Sequence, residues 1–152
     1  MTRRLAVVTL LALVAGVVSA AAVQQKPNFS GTWAPANPAA QEGGTIIVKH
    51  DETTLTQSHE AEGPDHVNVY KLDGKESREV LQSHGADIVS VSQASWKGDI
   101  LMIVTRVTYP DGRKSVISVN WSLDQKGQLT IAGTVDLDGR PTSHHSLTYT
   151  KK

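Results

Sequence analysis

Apolar and polar residues alternate with a period of two along the second half of the chain. Ile117, Val119, Trp121 and Leu123 share one parity, against Val116, Ser118, Asn120 and Ser122. Leu129, Ile131, Val135 and Leu137 repeat the pattern against Gln128, Thr130, Thr134 and Asp136. That period marks strands with one face packed and one face wet. Residues suited to tight turns separate them: Lys97-Gly98-Asp99, Tyr109-Pro110-Asp111-Gly112, Asp124-Gln125-Lys126-Gly127 and Asp138-Gly139-Arg140-Pro141. Gly and Asp tolerate the positive φ of hairpin turns, and Pro pre-sets φ at the first corner. The stretch from Trp96 to Tyr149 therefore predicts consecutive hairpins, an antiparallel meander.

The upstream half extends the same pattern. Phe29, Gly31 and Trp33 share one parity in a first strand, with Gly31 leaving room for a neighbouring backbone. Ala34 to Gly44 is a loop of small residues and prolines, too broken for a helix or a central strand. Thr45 to His50 and Thr53 to Ser58 form a hairpin about Asp51-Glu52, followed by an acidic connector from Glu60 to Asp65. Val67 to Leu72 is a further strand closed by Asp73-Gly74. Lys75 to Gln82 has the composition of a helical turn but the position of a polar edge strand. Ile88 to Trp96 and Ile100 to Tyr109 make another hairpin. The sum is an all-β chain, an up-and-down antiparallel meander of nine or ten strands.

Within it, the segment from Ile100 to Tyr109 is apolar on both parities. Such a strand is either crowded on both faces or carries an exposed stripe for contact. Arg106 shares parity with Ile100 and Val104, which points it inward near the mouth of a barrel.

The 152 residues suit one domain. Met1-Thr2-Arg3-Arg4 followed by the apolar run Leu5 to Val18 and the small residues Ser19-Ala20-Ala21-Ala22 has the three parts of a secretory signal peptide. The division is then a signal peptide over 1–22, cleaved after Ala20 or Ala22, and one domain over 23–152. The alternative, a membrane anchor from Leu5 to Val23, is disfavoured by the small-residue end and by the lack of a basic stop. Removing Arg3 and Arg4 leaves 13 basic against 15 acidic side chains, a net charge of about −2. A charge so near zero recruits neither nucleic acid nor an anionic membrane. With no cysteine, disulfides, thiolate metal sites and a lipid-bearing N-terminal Cys are excluded. The expected compartment is the bacterial periplasm or the exterior, and the expected state a monomer.

Asn28-Phe29-Ser30-Gly31-Thr32-Trp33 resembles the first strand of lipocalins and fatty-acid-binding proteins, which carry Gly-x-Trp there. Together with Leu72-Asp73-Gly74-Lys75-Glu76, Trp96-Lys97-Gly98-Asp99-Ile100-Leu101 and a terminal Leu147-Thr148-Tyr149-Thr150-Lys151-Lys152, the chain resembles small exported bacterial β-proteins described as lipocalin-like, of the calycin type. The resemblance implies an up-and-down barrel whose interior holds a small apolar ligand. It also implies a structural role for Phe29, Gly31 and Trp33, with Arg140 or Lys151 lying over Trp33. Two departures stand out: a Pro-rich loop replaces the helical lid, and the internal Arg and Tyr that hold a carboxylate have no clear counterpart beyond Arg106 and Tyr149.

Candidate chemistry is sparse. His144 and His145 are adjacent, so on one strand they point to opposite faces. His50, His59, His66 and His84 lie in or beside turns, read as solvated loop positions without metal-ligand spacing. The acidic residues cluster at turns, and no Gly-x-Ser-x-Gly occurs. The expectation is a non-enzymatic binding protein with no cofactor and no metal. Its ligand would lie against Ile117, Val119, Trp121, Leu129, Ile131 and Leu147, with Arg106 and Tyr149 as further interior candidates. The alternative is a cell-envelope interaction module with a filled barrel and no ligand. A cavity below about 300 Å³ would exclude the first reading.

Overall fold

The computed structural model describes residues 26–40, 44–61, 67–138 and 140–152. The segment 1–22 read as a signal peptide, His66 and most of the acidic connector lie outside those residues. Ten antiparallel strands follow one another: β1 (Gly31–Pro35), β2 (Ile46–His50), β3 (Thr54–His59), β4 (Val67–Lys71), β5 (Glu76–Ser83), β6 (Ala86–Lys97), β7 (Ile100–Thr108), β8 (Lys114–Leu123), β9 (Leu129–Leu137) and β10 (Ser143–Lys151). A 3-10 turn at Pro38–Ala40 is the helical content among the described residues. Lys75 to Gln82 is thus resolved in favour of a strand, β5.

The strands form one sheet in the order β4-β3-β2-β1-β10-β9-β8-β7-β6-β5. Because the first strand pairs with the last, Trp33 opposite Lys151, the meander curls into a nearly closed barrel. Its two free edges, β4 and β5, meet along a seam. Side chains stitch that seam: the Val69 N–H donates to Glu79 Oε1 at 2.8 Å, the Lys71 N–H to Ser77 Oγ at 3.1 Å, and Lys71 Nζ to the Glu76 carbonyl at 3.1 Å. They satisfy edge groups that would otherwise offer a template to another chain.

Cross-strand register fixes which parity faces inward, since paired residues share a face. Leu101 pairs with Trp121, Trp121 with Ile131, and Leu129 with Tyr149, so these residues all line the interior. On β7 the inner parity is Leu101, Ile103, Thr105 and Val107. Arg106 lies opposite Val91 and Val116 on the outer face, exposed, which corrects the inward placement expected from its own strand. The partners of β7 decide the matter, and a strand apolar on both parities does not reveal them. Its outer residues Ile100, Met102 and Val104 are half-buried.

One end of the barrel is closed by aromatic rings. Phe29, fully buried, lies just before β1 rather than in it, and plugs this end. Its ring stacks on Trp96 with centroids 6.0 Å apart and meets Trp121 edge-on at 5.7 Å. Trp33 Nε1 donates to the Phe29 carbonyl at 2.8 Å, so the buried indole N–H is satisfied. Lys151 Nζ lies 5.5 Å from the Trp33 ring centroid, which selects Lys151 over Arg140 as the overlying cation. Gly31, at φ 147°, is needed for this arrangement: a Cβ there would run into the Lys151 side chain. The space at Gly31 therefore serves a side chain, where a neighbouring backbone was expected.

His50 belongs to the same plug. Its Nδ1 accepts the Phe29 N–H at 3.1 Å, and its ring lies 5.6 Å from Phe29 and 6.0 Å from Trp96. Burial lowers its pKa from the ordinary 6.5, with Asp51 opposing weakly. This corrects the solvated-loop reading for His50. The Asp51 turn that follows is built as the sequence suggests: the Thr53 and Thr54 N–H groups donate to its carboxylate and pull its pKa down to about 2.

Candidate functional site

Away from the plug the barrel is hollow. A cavity of about 440 Å³ lies between the seam and the β7–β9 wall. Its two sides differ in chemistry. Ile117, Val119, Trp121 and Ile131 form an apolar wall, extended by Val107 and Ile88. Opposite stand Gln57, His59, Asn68, Tyr70 and Glu79, from β3, β4 and β5. Ser90, Ser92 and Thr105 join the two sides, with Ser92 Oγ 2.8 Å from Thr105 Oγ1.

The polar wall follows from register. Leu55 packs in the core, and its parity carries Gln57 and His59 inward as β3 leaves the plugged end. Asn68 pairs with Gln57 and Tyr70 with Leu55, so both face in as well. Glu79 pairs with Ser90 on β6 and reaches across the seam to the Val69 N–H. Gln57 Nε2 lies 3.4 Å from His59 Nε2. His59 is therefore a wall residue rather than the solvated loop residue expected. Burial, reinforced by the nearby Glu79 charge, pushes the Tyr70 hydroxyl up to about 12, so it stays protonated and available as a donor.

The sequence-predicted interior residues separate into four places. Ile117, Val119, Trp121 and Ile131 come together on the cavity wall. Leu129 and Tyr149 are buried in the core beside Trp33, and burial raises the Tyr149 pKa. Leu147 and Tyr149 also border a separate hollow of about 240 Å³ with Pro35, Ala36 and Asn37. Arg106 lies on the outer face, in a shallow groove with Glu76 and Lys114. Sequence reasoning missed Gln57, His59, Asn68, Tyr70 and Glu79. The available signal was their spacing of two from the apolar residues of β3 and β4, but polar residues at inward positions read as ordinary loop or edge composition.

The arrangement suits noncovalent recognition. Ser143 Oγ lies 3.2 Å from His145 Nε2 near the unplugged end, but both residues are exposed, and the nearby Asp136 carboxylate accepts from the Thr142 hydroxyl. His145 shares the inner parity and pairs with Gly133, while His144 pairs with Thr134 on the other face. Among the described residues no group of three or more His, Asp or Glu converges as a metal site, and no helix is long and apolar enough to cross a membrane. The fold and cavity define a ten-stranded antiparallel barrel, hollow on one side of an aromatic plug. Comparison with protein-family models and with curated proteins finds no match for this chain.

Proposed function

We propose that this protein is a non-enzymatic carrier or sensor that encloses one small ligand inside the barrel. The observation that supports this reading is the cavity of about 440 Å³ beside Ile117, Val119, Trp121 and Ile131. It lies within the range of about 300–1,000 Å³ in which small-molecule sites fall, near the lower end. An apolar wall facing a handful of polar groups is the composition that such sites use to gain affinity on one side and orientation on the other. The signal-peptide pattern of 1–22 and the lipocalin-like motifs support a carrier working in the periplasm or outside the cell. Native mass spectrometry of the protein purified from its own compartment tests this. A co-purifying small-molecule mass, one per chain, is the expected result; bare protein that also takes up no apolar probe would overturn the reading.

A second reading rests on the seam. Val67 and Val69 on β4 and Val80 on β5 are large, exposed and apolar on the outer face, and they flank the two free sheet edges. An envelope interaction module would use such a strip for contact with a partner chain. Sedimentation of the protein with and without an envelope extract distinguishes the two, because a carrier remains at monomer mass.

A further inference from the structure

The charge balance of the cavity wall narrows the ligand class. The inference rests on the carrier reading above. The polar wall carries one carboxylate, Glu79, and one imidazole, His59, and among the described residues no Lys or Arg lines the cavity. The basic residue proposed for a ligand carboxylate, Arg106, lies on the outer face. Glu79 is half-buried, with Oε1 engaged by the Val69 N–H and Oε2 unpartnered among the described residues. Tyr70 Oη has no hydrogen-bond partner among the described residues either. Both groups line the same cavity, and Glu79 accepts a hydrogen bond from the backbone N–H of Val69, the residue next to Tyr70. The polar wall thus sets one carboxylate among groups that both donate and accept hydrogen bonds, with no fixed cation beside it among the described residues.

We infer that the ligand is a small amphiphile with a protonated amine at its polar end, paired with Glu79 beside Tyr70, and with its apolar end against Ile117, Val119 and Trp121. An ammonium group meets Glu79 Oε2 in a charge-assisted hydrogen bond, and its other protons find acceptors in Tyr70, Asn68 and Gln57. A neutral alcohol of equal length keeps the apolar contacts and loses the charge-assisted bond. A carboxylate sets a second negative charge beside Glu79 in a partly desolvated site, where like charges repel most. The selectivity is opposite to that of a carrier built around an internal arginine. It follows from the seam as well: the Glu79 carboxylate that closes the β4–β5 edge also faces the cavity.

Decylamine, decanol and decanoate, compared below their micelle concentrations, test this by quenching or blue-shift of tryptophan fluorescence, since Trp121 lines the cavity. Decylamine is expected to bind about tenfold more tightly than decanol, the worth of one charge-assisted hydrogen bond, with decanoate weakest. Glu79→Gln keeps an acceptor for the Val69 N–H, and is expected to bring decylamine down to the affinity of decanol without weakening decanol. Equal affinity for the three probes, or tightest binding of decanoate, would overturn the inference and leave the carrier reading intact. Failure of all three to bind would overturn both. If Glu79→Gln does not fold, as judged by circular dichroism, the order of the three affinities in the unmodified protein decides the matter alone.

Discussion

The two ends of this barrel are built from the same alternating strands yet do opposite things. At the plugged end Phe29, Trp33 and Trp121 are buried, with His50 and Trp96 stacked against Phe29. Toward the other end the same inner parity carries Gln57, His59, Asn68 and Glu79, and the walls border a cavity of about 440 Å³. The rings at the plug fill the barrel's width, which smaller side chains at the other end cannot do. Large rings close one end, and apolar and polar side chains leave a cavity toward the other. The strands echo the division. β6 to β9 are long and paired throughout, whereas β1 to β4 are 5 or 6 residues each and end at a seam held by side chains.

Truncation at the two ends should expose the contrast most sharply. Phe29→Ala removes a fully buried ring and its stacking, and is expected to cost about 3–5 kcal/mol in urea unfolding. Ile117→Ala, on the cavity wall, adds to an existing void and is expected to cost about 1–2 kcal/mol, mainly the lost transfer term. Equal costs would mean that the cavity side is packed as tightly as the plug.

Gly133 supplies the next effect. It sits on the inner face of β9, opposite Val119 and His145, where a Cβ would collide with the Ser118 carbonyl oxygen and lie 2.8 Å from Val119 Cγ1. Backbone cannot yield as a side chain can, so Gly133→Ala is expected to destabilise by about 1–3 kcal/mol through overpacking. An unchanged melting temperature would show that the strands separate there freely.

The plug should also be the acid-sensitive end. Neutral His50 accepts the Phe29 N–H, and burial holds its pKa below 6.5 in the folded chain. The neutral form is therefore favoured by folding. Its contribution is whole above about 6.5 and is lost as pH falls through the lowered folded-state value. Melting temperature followed downward in pH should fall more steeply for the unmodified protein than for His50→Asn, whose amide oxygen can replace Nδ1 without titrating. Parallel curves would remove His50 from the account. The smallest effect is expected at the rim of the plug, where Lys151→Met removes the cation over Trp33 at a cost of about 0.5–1 kcal/mol.

The fold was legible because its signals are local. Turn residues such as Asp51, Asp73, Asp111 and Asp124 accept hydrogen bonds from backbone N–H groups two to four residues on, and so announce themselves without knowledge of partners. Alternation on β8 and β9 gave the inner face directly, since most of their outer residues, such as Ser118, Asn120, Thr130 and Asp136, are polar. The cavity was only half legible. Its apolar wall follows from that alternation, whereas the polar wall consists of residues that look like surface until β3, β4 and β5 are set around the barrel. Arg106 shows the same limit, because which parity of β7 faces inward depends on its pairing with β6 and β8. His50 was misread, and Phe29 was placed in the first strand rather than before it, because a plug is formed by long-range stacking, which no spacing in the sequence encodes.

The central claim is that the cavity beyond the plug admits a small ligand, and filling it tests this most directly. Ile117→Trp places a ring into the cavity without touching the plug. Titration of both proteins with Nile red, a neutral apolar dye, should show saturable uptake of one dye per chain by the unmodified protein. The variant should show none while melting no lower. Equal uptake by both would place the dye elsewhere on the surface, and no uptake by either would mean that the cavity does not admit a ligand; each result would contradict the claim.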